Sequence, residues 1–470
     1  MNVGHLAPEI ALVVGAVTAL LTASFTSPRR QWLGAALAGV ATLASAVITI
    51  GLAVTTESQL TFERSWALDP VTHASELIIL GATGCCLLLV PEWFRTDARR
   101  GELPAIVLFA ATGAMLLAGA ADTMEIVVGV LLVSVTGYTL AAFHRGSPAA
   151  VEAGMKYFLV GALANAILLV GVVILYGSAG STNLADIGVR LRGGGDRVAL
   201  TAAVVCIVIG LAFEIGAAPV HTWVPDVAQA GPVPSAAFLT VVPKVGAVVA
   251  LARVVHVMPD DAVAWRPVVA VVAGVTMTLG NLMALWQDDL RRLLGWSTVS
   301  QAGYALIAVV VVDRSDAAPM ALVAFLAAYS AANVAAFGVV AELRGRTHLT
   351  GYRGLAGTHP WLALSLALSL LSLVGIPPLG GFVGKLTLFT AAIDGGYGWL
   401  AALAVANTVV SLFYYLRVIG PMYFDRAERP VPVLGRAAAV GAGLATLAVV
   451  ALGVAAEPML SGLDGVHLLP

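Results

Sequence analysis

The sequence predicts an all-α integral membrane protein of about fourteen transmembrane helices, and three observations carry that prediction. Charged residues are scarce, apolar runs long enough to span a bilayer recur along the chain, and basic residues crowd into every second loop. Of 470 residues, 59% are hydrophobic and 11% charged, with a mean hydropathy of +0.94. A soluble domain carries about 25% charged residues, so this chain cannot cover itself with a water-facing surface.

Apolar runs bounded by turn and charge clusters place the first six helices near residues 8–25, 33–54, 72–90, 104–121, 124–143 and 155–176. The remaining eight follow near 198–219, 235–256, 266–286, 292–312, 319–341, 360–393, 400–421 and 434–455. Each is long enough to cross a hydrocarbon core of about 30 Å. The run from Pro8 to Phe25 has no basic stretch before it and no small-residue cleavage site after it. It is therefore expected to be a membrane helix rather than a removable signal.

Alternate loops differ in basic content. One side holds Arg29, Arg30, Arg95, Arg99, Arg100, Arg145, Lys156, Arg291, Arg292, Arg344, Arg346, Arg353, Arg417, Arg426, Arg429 and Arg436, 16 in all. The opposite side holds Arg64, Arg190, Arg192, Arg197, Arg253, Arg266 and Arg314, a total of 7. The excess marks the first side as cytoplasmic and puts both termini on the outer side.

Two segments exceed a single span. Val198 to Gly231 is interrupted by Pro219, Pro225 and several glycines, and Pro360 to Asp394 by Gly375-Ile376-Pro377-Pro378 and Gly380-Gly381. Proline removes a backbone donor, and irregular backbone is tolerated at membrane depth only inside protein or beside a watery cavity. Paired interruptions in two halves point to an internally repeated transporter with central ion sites. Simple packing kinks are the alternative.

A charge at the bilayer centre costs ~2.5–3.5 kcal/mol on insertion scales, so the few ionisable residues within spans carry most of the information. Glu214 lies five residues before Pro219, Lys244 in Val242-Pro243-Lys244-Val245-Gly246, Lys385 seven residues beyond Pro378, and His221 just past the first interruption. These four are the candidate proton stations. A purely static role, such as a buried Glu214–Lys244 pair fixing helix packing, is the competing reading, and His221 serves equally well as a core histidine.

Other positions carry weaker signals. Asp122 and Glu125 at the mouth of helix 5 read as cap or surface residues. Glu76, about one turn inside helix 3, is a candidate contact with a neighbouring subunit. Asp288, Asp289, Arg291 and Arg292 read as solvated ion pairs. Gln301, Tyr304, Tyr329 and Asn333 either line a wet axis or bond across helices. The three cysteines, Cys85, Cys86 and Cys206, have no metal or cluster spacing and read as small buried hydrophobes.

Several stretches together resemble a known family. They include Ala7-Pro8-Glu9-Ile10, Leu108-Phe-Ala-Ala-Thr-Gly-Ala-Met-Leu-Leu117, Tyr138-Thr-Leu-Ala-Ala-Phe143, Glu152-Ala-Gly-Met-Lys-Tyr-Phe158 and Leu175-Tyr-Gly-Ser-Ala-Gly-Ser181. Gly216-Ala-Ala-Pro-Val-His-Thr-Trp-Val-Pro-Asp226 with Gly231-Pro-Val-Pro234, Leu293-Leu-Gly-Trp-Ser-Thr-Val-Ser-Gln-Ala-Gly-Tyr304 and Gly375-Ile-Pro-Pro-Leu-Gly-Gly-Phe-Val-Gly-Lys385 complete the pattern. Over roughly residues 5 to 430 the chain resembles subunit N of the proton-translocating NADH:quinone oxidoreductases (respiratory complex I), among the antiporter-like (Mrp-type) membrane subunits.

That resemblance implies fourteen helices in a single membrane domain spanning 1–470. Helices 1–3 would occupy 1–103, a first repeat (helices 4–8) 104–256, an inverted second repeat (helices 9–13) 265–423, and helix 14 residues 434–456, with helices 7 and 12 broken. It implies proton translocation coupled at a distance to quinone reduction, as a subunit of a translocase with no redox centre in this chain. NADH, FMN, iron–sulfur clusters and quinone would belong to partner subunits. The expected partners are other membrane-arm subunits and lipid, not nucleic acid, in a bacterial plasma membrane. Lys244 and Lys385 match the family lysines of helices 8 and 12.

The chain departs from the family where a glutamate on helix 5 normally faces a lysine on helix 7: here the two positions are Leu131 and Glu214. Either Glu214 pairs with Lys244 and itself carries the proton, or the first half-channel is inactive and the subunit supports coupling or assembly. An exchanger subunit independent of redox chemistry is the alternative outside this family role.

Overall fold

The computed structural model describes residues 2–27, 30–97, 99–192, 196–260, 263–426, 433–463 and 465–469. Arg29 and Arg429, both used in the charge count, lie outside the described residues. The helices in chain order are α1 (Ala7–Phe25), α2 (Trp32–Thr55), α3 (Pro70–Trp93), α4 (Leu103–Gly119), α5 (Thr123–Ala141), α6 (Pro148–Ala179), α7 (Leu184–Leu191), α8 (Arg197–Ile215), α9 (Trp223–Ala230) and α10 (Val233–His256). They continue as α11 (Trp265–Leu285), α12 (Leu290–Val310), α13 (Ala318–Glu342), α14 (Leu355–Thr358), α15 (Pro360–Val374), α16 (Gly380–Asp394), α17 (Gly398–Phe424), α18 (Arg436–Val454) and α19 (Ala456–Ser461). Twelve of these elements are long and apolar enough to cross a membrane, and α4 and α15 are shorter apolar helices.

Helix starts follow local chemistry. Asp69, Asp122, Asp196 and Asp289 each accept a bond from a backbone N–H in the first turn of α3, α5, α8 and α12, satisfying donors that have no intrahelical partner. Asp122 is thus the cap expected from sequence. Pro148 opens α6 seven residues ahead of the apolar run read as helix 6, because Ser147 caps it and proline suits the first turn. Lys156, counted as a loop residue, consequently lies on α6 and pairs with Glu152 and Asp226, each at 2.9 Å.

The helices are graded in burial. All of α10 from Val233 to Val255 is buried, and so is all of α12 except Arg292. By contrast α2 keeps a broad exposed face that includes Leu43, Val47 and Val54, apolar surface suited to lipid or a neighbouring helix. Gly246 lets α10 close on α4, since a Cβ there would overlap the Ala114 carbonyl.

The two long segments break where their Gly/Pro clusters predicted. α8 ends at Ile215 and α9 resumes at Trp223; α15 ends at Val374 and α16 resumes at Gly380. Each first half stops at a left-handed glycine, Gly216 (φ 72°) or Gly375 (φ 98°), a conformation glycine adopts without a Cβ clash. A cis X-Pro bond follows in both, at Ala218-Pro219 and Pro377-Pro378.

A second correspondence links the halves. At the start of α5, Thr123 N donates to Thr182 O (2.9 Å) and Leu184 N to Ala121 O (2.9 Å). At the start of α12, Leu290 N donates to Thr347 O (2.8 Å) and Leu349 N to Asp288 O (2.8 Å). In each case the start of one helix bridges the strand-like segment that follows the next long helix, as Asp122 with Asn183 and Asp289 with His348.

One element departs from the all-α expectation. Gln59–Thr61 (β1) and Trp66–Leu68 (β2) form a short antiparallel hairpin. Its turn carries three non-glycine residues at positive φ, Phe62, Glu63 and Arg64, held in place because Asn183 Nδ2 donates to Arg64 O and Arg64 pairs with Asp186. These partners lie more than a hundred residues away, so no local pattern announces the hairpin. Among the described residues the cysteines are free thiols; Cys86 is buried, whereas Cys85 and Cys206 are half-buried rather than fully enclosed.

Candidate functional site

Glu214 lies in the last turn of α8 and is 1% exposed. Its Oε1 accepts from Ser134 Oγ on α5 at 2.5 Å, and Asn165 Nδ2 on α6 donates to the same hydroxyl oxygen at 3.1 Å. Asn165 also reaches Tyr138 Oη at 3.5 Å. Tyr138 lines a cavity of about 380 Å³ rimmed by Arg99, Glu102 and Arg145. A hydrogen-bonded series therefore leads from Tyr138, in the wall of that cavity, through Asn165 and Ser134 to Glu214. Among the described residues no ion pair joins Glu214 to Lys244, so the pairing considered from sequence is not formed. Leu131 does not replace it either: its side chain points outward at 41% exposure, and the facing position on α5 is Ser134, one turn further on.

α9, the second half of the first broken segment, is locked against this site. Trp223 Nε1 donates to Phe213 O at 3.2 Å, and its ring stacks on Tyr157 at 4.3 Å. Asp226 is clasped by Lys156 (2.9 Å) and Arg292 (2.6 Å), tying α6, α9 and α12 together. Arg291 was expected in a solvated ion-pair cluster. It is instead buried, donating to the carbonyls of Ala228 and Gly231 at the end of α9, carbonyls left free by the end of that helix.

Lys244 sits midway along α10 at 2% exposure. Nζ donates to Thr298 O on α12 at 2.6 Å and lies 4.8 Å from the centre of the Tyr329 ring. Tyr329 Oη in turn donates to Thr240 O at 2.7 Å, and Asn333 Nδ2 to Thr240 Oγ1 at 3.0 Å. These two α13 residues, read from sequence as axis-lining or bonding positions, do bond across helices here.

Lys385 occupies the first turns of α16 at 3% exposure. Nζ donates to Leu373 O (2.9 Å) and Val374 O (3.0 Å) and lies 4.2 Å from the Tyr304 ring centre. The last carbonyls of α15 have no intrahelical donor, and a cation at a helix C-terminus is favoured by the macrodipole. Gln301 Nε2 on α12 donates to Leu373 O as well, at 3.0 Å. The structure thus brings Lys244 and Lys385 onto one polar face of α12, through Thr298 and Gln301, with Ser297 bonded to Tyr415 and Tyr304 to Thr408 alongside.

His221 lies in the connection between α8 and α9, buried, with its ring 5.6 Å from that of Trp296 on α12. It adjoins the same helix but makes no bond to the lysines or Glu214. Glu76 is enclosed within the chain at 2% exposure and accepts from Thr49 at 3.1 Å, so it is no outward contact. Arg253, assigned to an outer loop, is fully buried in the last turn of α10 and forms a two-pronged pair with Asp69 at 2.8 and 3.0 Å. Among the described residues no group of three His, Cys, Asp or Glu side chains is placed to hold a metal ion.

Ser134 and Asn165 were missed from sequence. A mid-span asparagine in the apolar run of helix 6 was a readable signal; a serine, able to bond its own helix, was not.

A family model described as NADH:quinone oxidoreductase/Mrp antiporter, TM matches residues 120–411. NADH-quinone oxidoreductase subunit N of Mycobacterium sp. (strain JLS) is 44% identical over 421 residues, covering 89% of this chain and 88% of that protein. A chain of respiratory complex I from Thermus thermophilus superposes with a TM-score of 0.82 at 29% identity, over 97% of this chain and 98% of that one. A chain of the Mrp complex from Dietzia sp. DQ12-45-1b shares the fold, with a TM-score of 0.84 at 23% identity over 98% and 96% of the two chains. This chain belongs to the NADH-quinone oxidoreductase subunit N family, within the NADH:quinone oxidoreductase/Mrp antiporter membrane proteins.

Proposed function

We propose that this chain is the antiporter-like membrane subunit through which a NADH:quinone oxidoreductase moves protons, with Glu214, Lys244 and Lys385 as the proton-holding groups. The carrying observation is that Lys244 and Lys385 are both buried, have carbonyl partners but no anionic partner among the described residues, and both adjoin α12, Lys244 at Thr298 O and Lys385 at the Tyr304 ring and the Leu373 carbonyl it shares with Gln301. A fixed charge in such a place is expensive; an amine that gains and loses a proton needs no permanent counter-ion. Tyr329 and Tyr304 beside the two amines favour the charged state when it occurs and supply hydroxyls to a chain of donors and acceptors. Glu214 exchanges protons on the side of the cavity lined by Tyr138 through the Ser134 hydroxyl that donates to it, with Asn165 holding the Ser134 and Tyr138 hydroxyls in place, and His221 relays them between the first interruption and α12.

The same reading takes the chain as fourteen crossings of a bacterial plasma membrane, with both termini outside. The first repeat runs over 104–256 and the inverted second over 265–423. The matched backbone bridges at the starts of α5 and α12, and the matched breaks at Gly216 and Gly375, support that division. NADH, FMN, iron–sulfur clusters and quinone belong to partner subunits in this reading.

The test is deletion of the chain from its host, with complementation, followed by NADH-driven acidification of inverted membrane vesicles. The reading expects acidification to fall on deletion and return with the intact chain, and the tagged chain to co-purify with flavin and iron–sulfur protein. Sodium-driven acidification that persists without NADH, and no such co-purification, would instead assign it to an exchanger.

A further inference from the structure

Asp226, in the first turn of α9, lies outside the row of proton-holding groups, yet cations from two different helices share its carboxylate. Oδ2 accepts from Lys156 Nζ on α6 at 2.9 Å, and Oδ1 from Arg292 Nη1 on α12 at 2.6 Å. The two cations are 49% and 31% exposed, and ion pairs so exposed contribute little to stability. What sets this carboxylate apart is what its partners are attached to.

α9 and α12 are closely fitted together. Gly295 lets them close, since a Cβ there would lie 2.7 Å from Pro225 Cα. Arg291 holds the Ala228 and Gly231 carbonyls, and Arg292 also donates to Gln229 Oε1 at 3.0 Å. Thr298, whose carbonyl accepts from Lys244, and Gln301, which bonds the Leu373 carbonyl, lie on the same α12. On the other side stands α6, with Asn165 bonded to the Ser134 hydroxyl beside Glu214, and with Tyr157 next to Lys156 in the chain. α9 meets α6 through the Trp223 ring on Tyr157 and through Asp226 on Lys156. Trp223 also donates to the carbonyl of Phe213, the residue before Glu214, so the placement of α9 bears directly on the turn that carries Glu214.

We infer, resting on the proton-holding role proposed for Glu214, that Asp226 is a positioning residue for proton exchange there. It latches α9 and α12 to α6, keeping Glu214 in register with the groups on α12. Without the carboxylate, Lys156 and Arg292 confront each other across α9 as like charges, and the aromatic stack must hold α9 to α6. A misplacement of ~1 Å can slow a transfer step by on the order of 100-fold, so the latch governs the route without taking up a proton itself.

The test uses the assembled complex in inverted membrane vesicles carrying Asp226→Asn, Asp226→Glu or Glu214→Gln. Protons moved per NADH oxidised should fall several-fold in Asp226→Asn and recover in Asp226→Glu, which restores the charge. The infrared carboxyl band assigned to Glu214 by its loss in Glu214→Gln should also shift in Asp226→Asn. A residue that only stabilised the fold would lower the amount of assembled complex and leave that band in place. A wild-type ratio or an unmoved band in Asp226→Asn would overturn the proposal; a lowered ratio in Glu214→Gln would show that the proton-holding role still stands. A wild-type ratio in Glu214→Gln would instead remove that role, and the positioning role with it. If Asp226→Asn does not assemble, Lys156→Met decides the matter, because it keeps Asp226 paired with Arg292 and deletes only the link to α6. A lowered ratio with a shifted band supports the latch, and a wild-type value of either refutes it.

Discussion

Gln301 Nε2 and Lys385 Nζ donate to the same oxygen, the carbonyl of Leu373, at 3.0 and 2.9 Å. That carbonyl is in the last turn of α15 and is available only because the helix stops at Gly375. An unbroken helix would have spent it on its own ladder. The glycine break, the amine and the amide are therefore one arrangement, in which sequence-distant residues meet at a helix end.

Removing the amide tests whether α12 is part of the path. Gln301→Leu leaves Lys385 with its carbonyl partners but deletes the group that links them to α12. A several-fold fall in protons moved per NADH oxidised is expected, with assembly intact, read by fluorescent pH indicators in vesicles. An unchanged ratio would confine Gln301 to packing.

The close approach of the two halves of the second broken segment depends on Gly381. A Cβ at this position would overlap the Ser372 carbonyl, and Gly381 N donates to Ser372 Oγ at 3.0 Å. Gly381→Ala must push α16 away from α15, at a cost of ~1–3 kcal/mol for an overpacked site. The expected result is a lower melting temperature of the assembled complex together with reduced pumping, both measurable on one preparation.

Arg253 and Asp69 are both wholly buried, and Leu469 N adds a bond to Asp69 Oδ2 at 2.9 Å. Removing one partner strands the other charge, for which ~3–5 kcal/mol is typical. Arg253→Ala should therefore deplete the chain from membranes far more than the paired replacement Arg253→Leu with Asp69→Leu. Quantitative immunoblotting of membrane fractions measures the difference; equal depletion would mean that lost packing, not stranded charge, dominates.

Between α10 and α11, burial raises the Asp260 carboxyl, but the bonds from Arg314 and Arg266 outweigh it and hold the group below its ordinary value. A group whose folded value is depressed contributes stability above its unfolded value, about 3.9, and loses it as pH falls through the lower folded one. Hydrogen exchange at the amides of Met258 and Val263, which donate to Val255 O and Pro259 O, should stay slow at neutral pH and accelerate only below about pH 4. Asp260→Asn should remove that acid step.

Much of this arrangement was legible in the sequence because its causes are local. Apolar run length gave the spans, Gly216 and Gly375 with their following prolines gave the breaks, and the cost of a buried amine singled out Lys244 and Lys385. What stayed hidden depends on partners far along the chain. The Asp69–Arg253 pair spans 184 residues, and Ser134 meets Glu214 across 80. Arg253 looked like a loop cation because nothing near it in sequence names its carboxylate. Leu131 looked like the apolar partner of Glu214 until the turn of α5 placed Ser134 there instead. The hairpin at Gln59–Leu68 escaped notice for the same reason, its turn being pinned by Asn183 and Asp186.

The most direct measurement is proton translocation per NADH oxidised in vesicles carrying Lys385→Met or Glu214→Gln, with assembly verified in each. If buried amines and a carboxyl hand protons along α12, both variants keep assembling while the ratio drops sharply. Wild-type ratios at wild-type oxidation rates in both would show that neither side chain carries a proton, and would contradict the account.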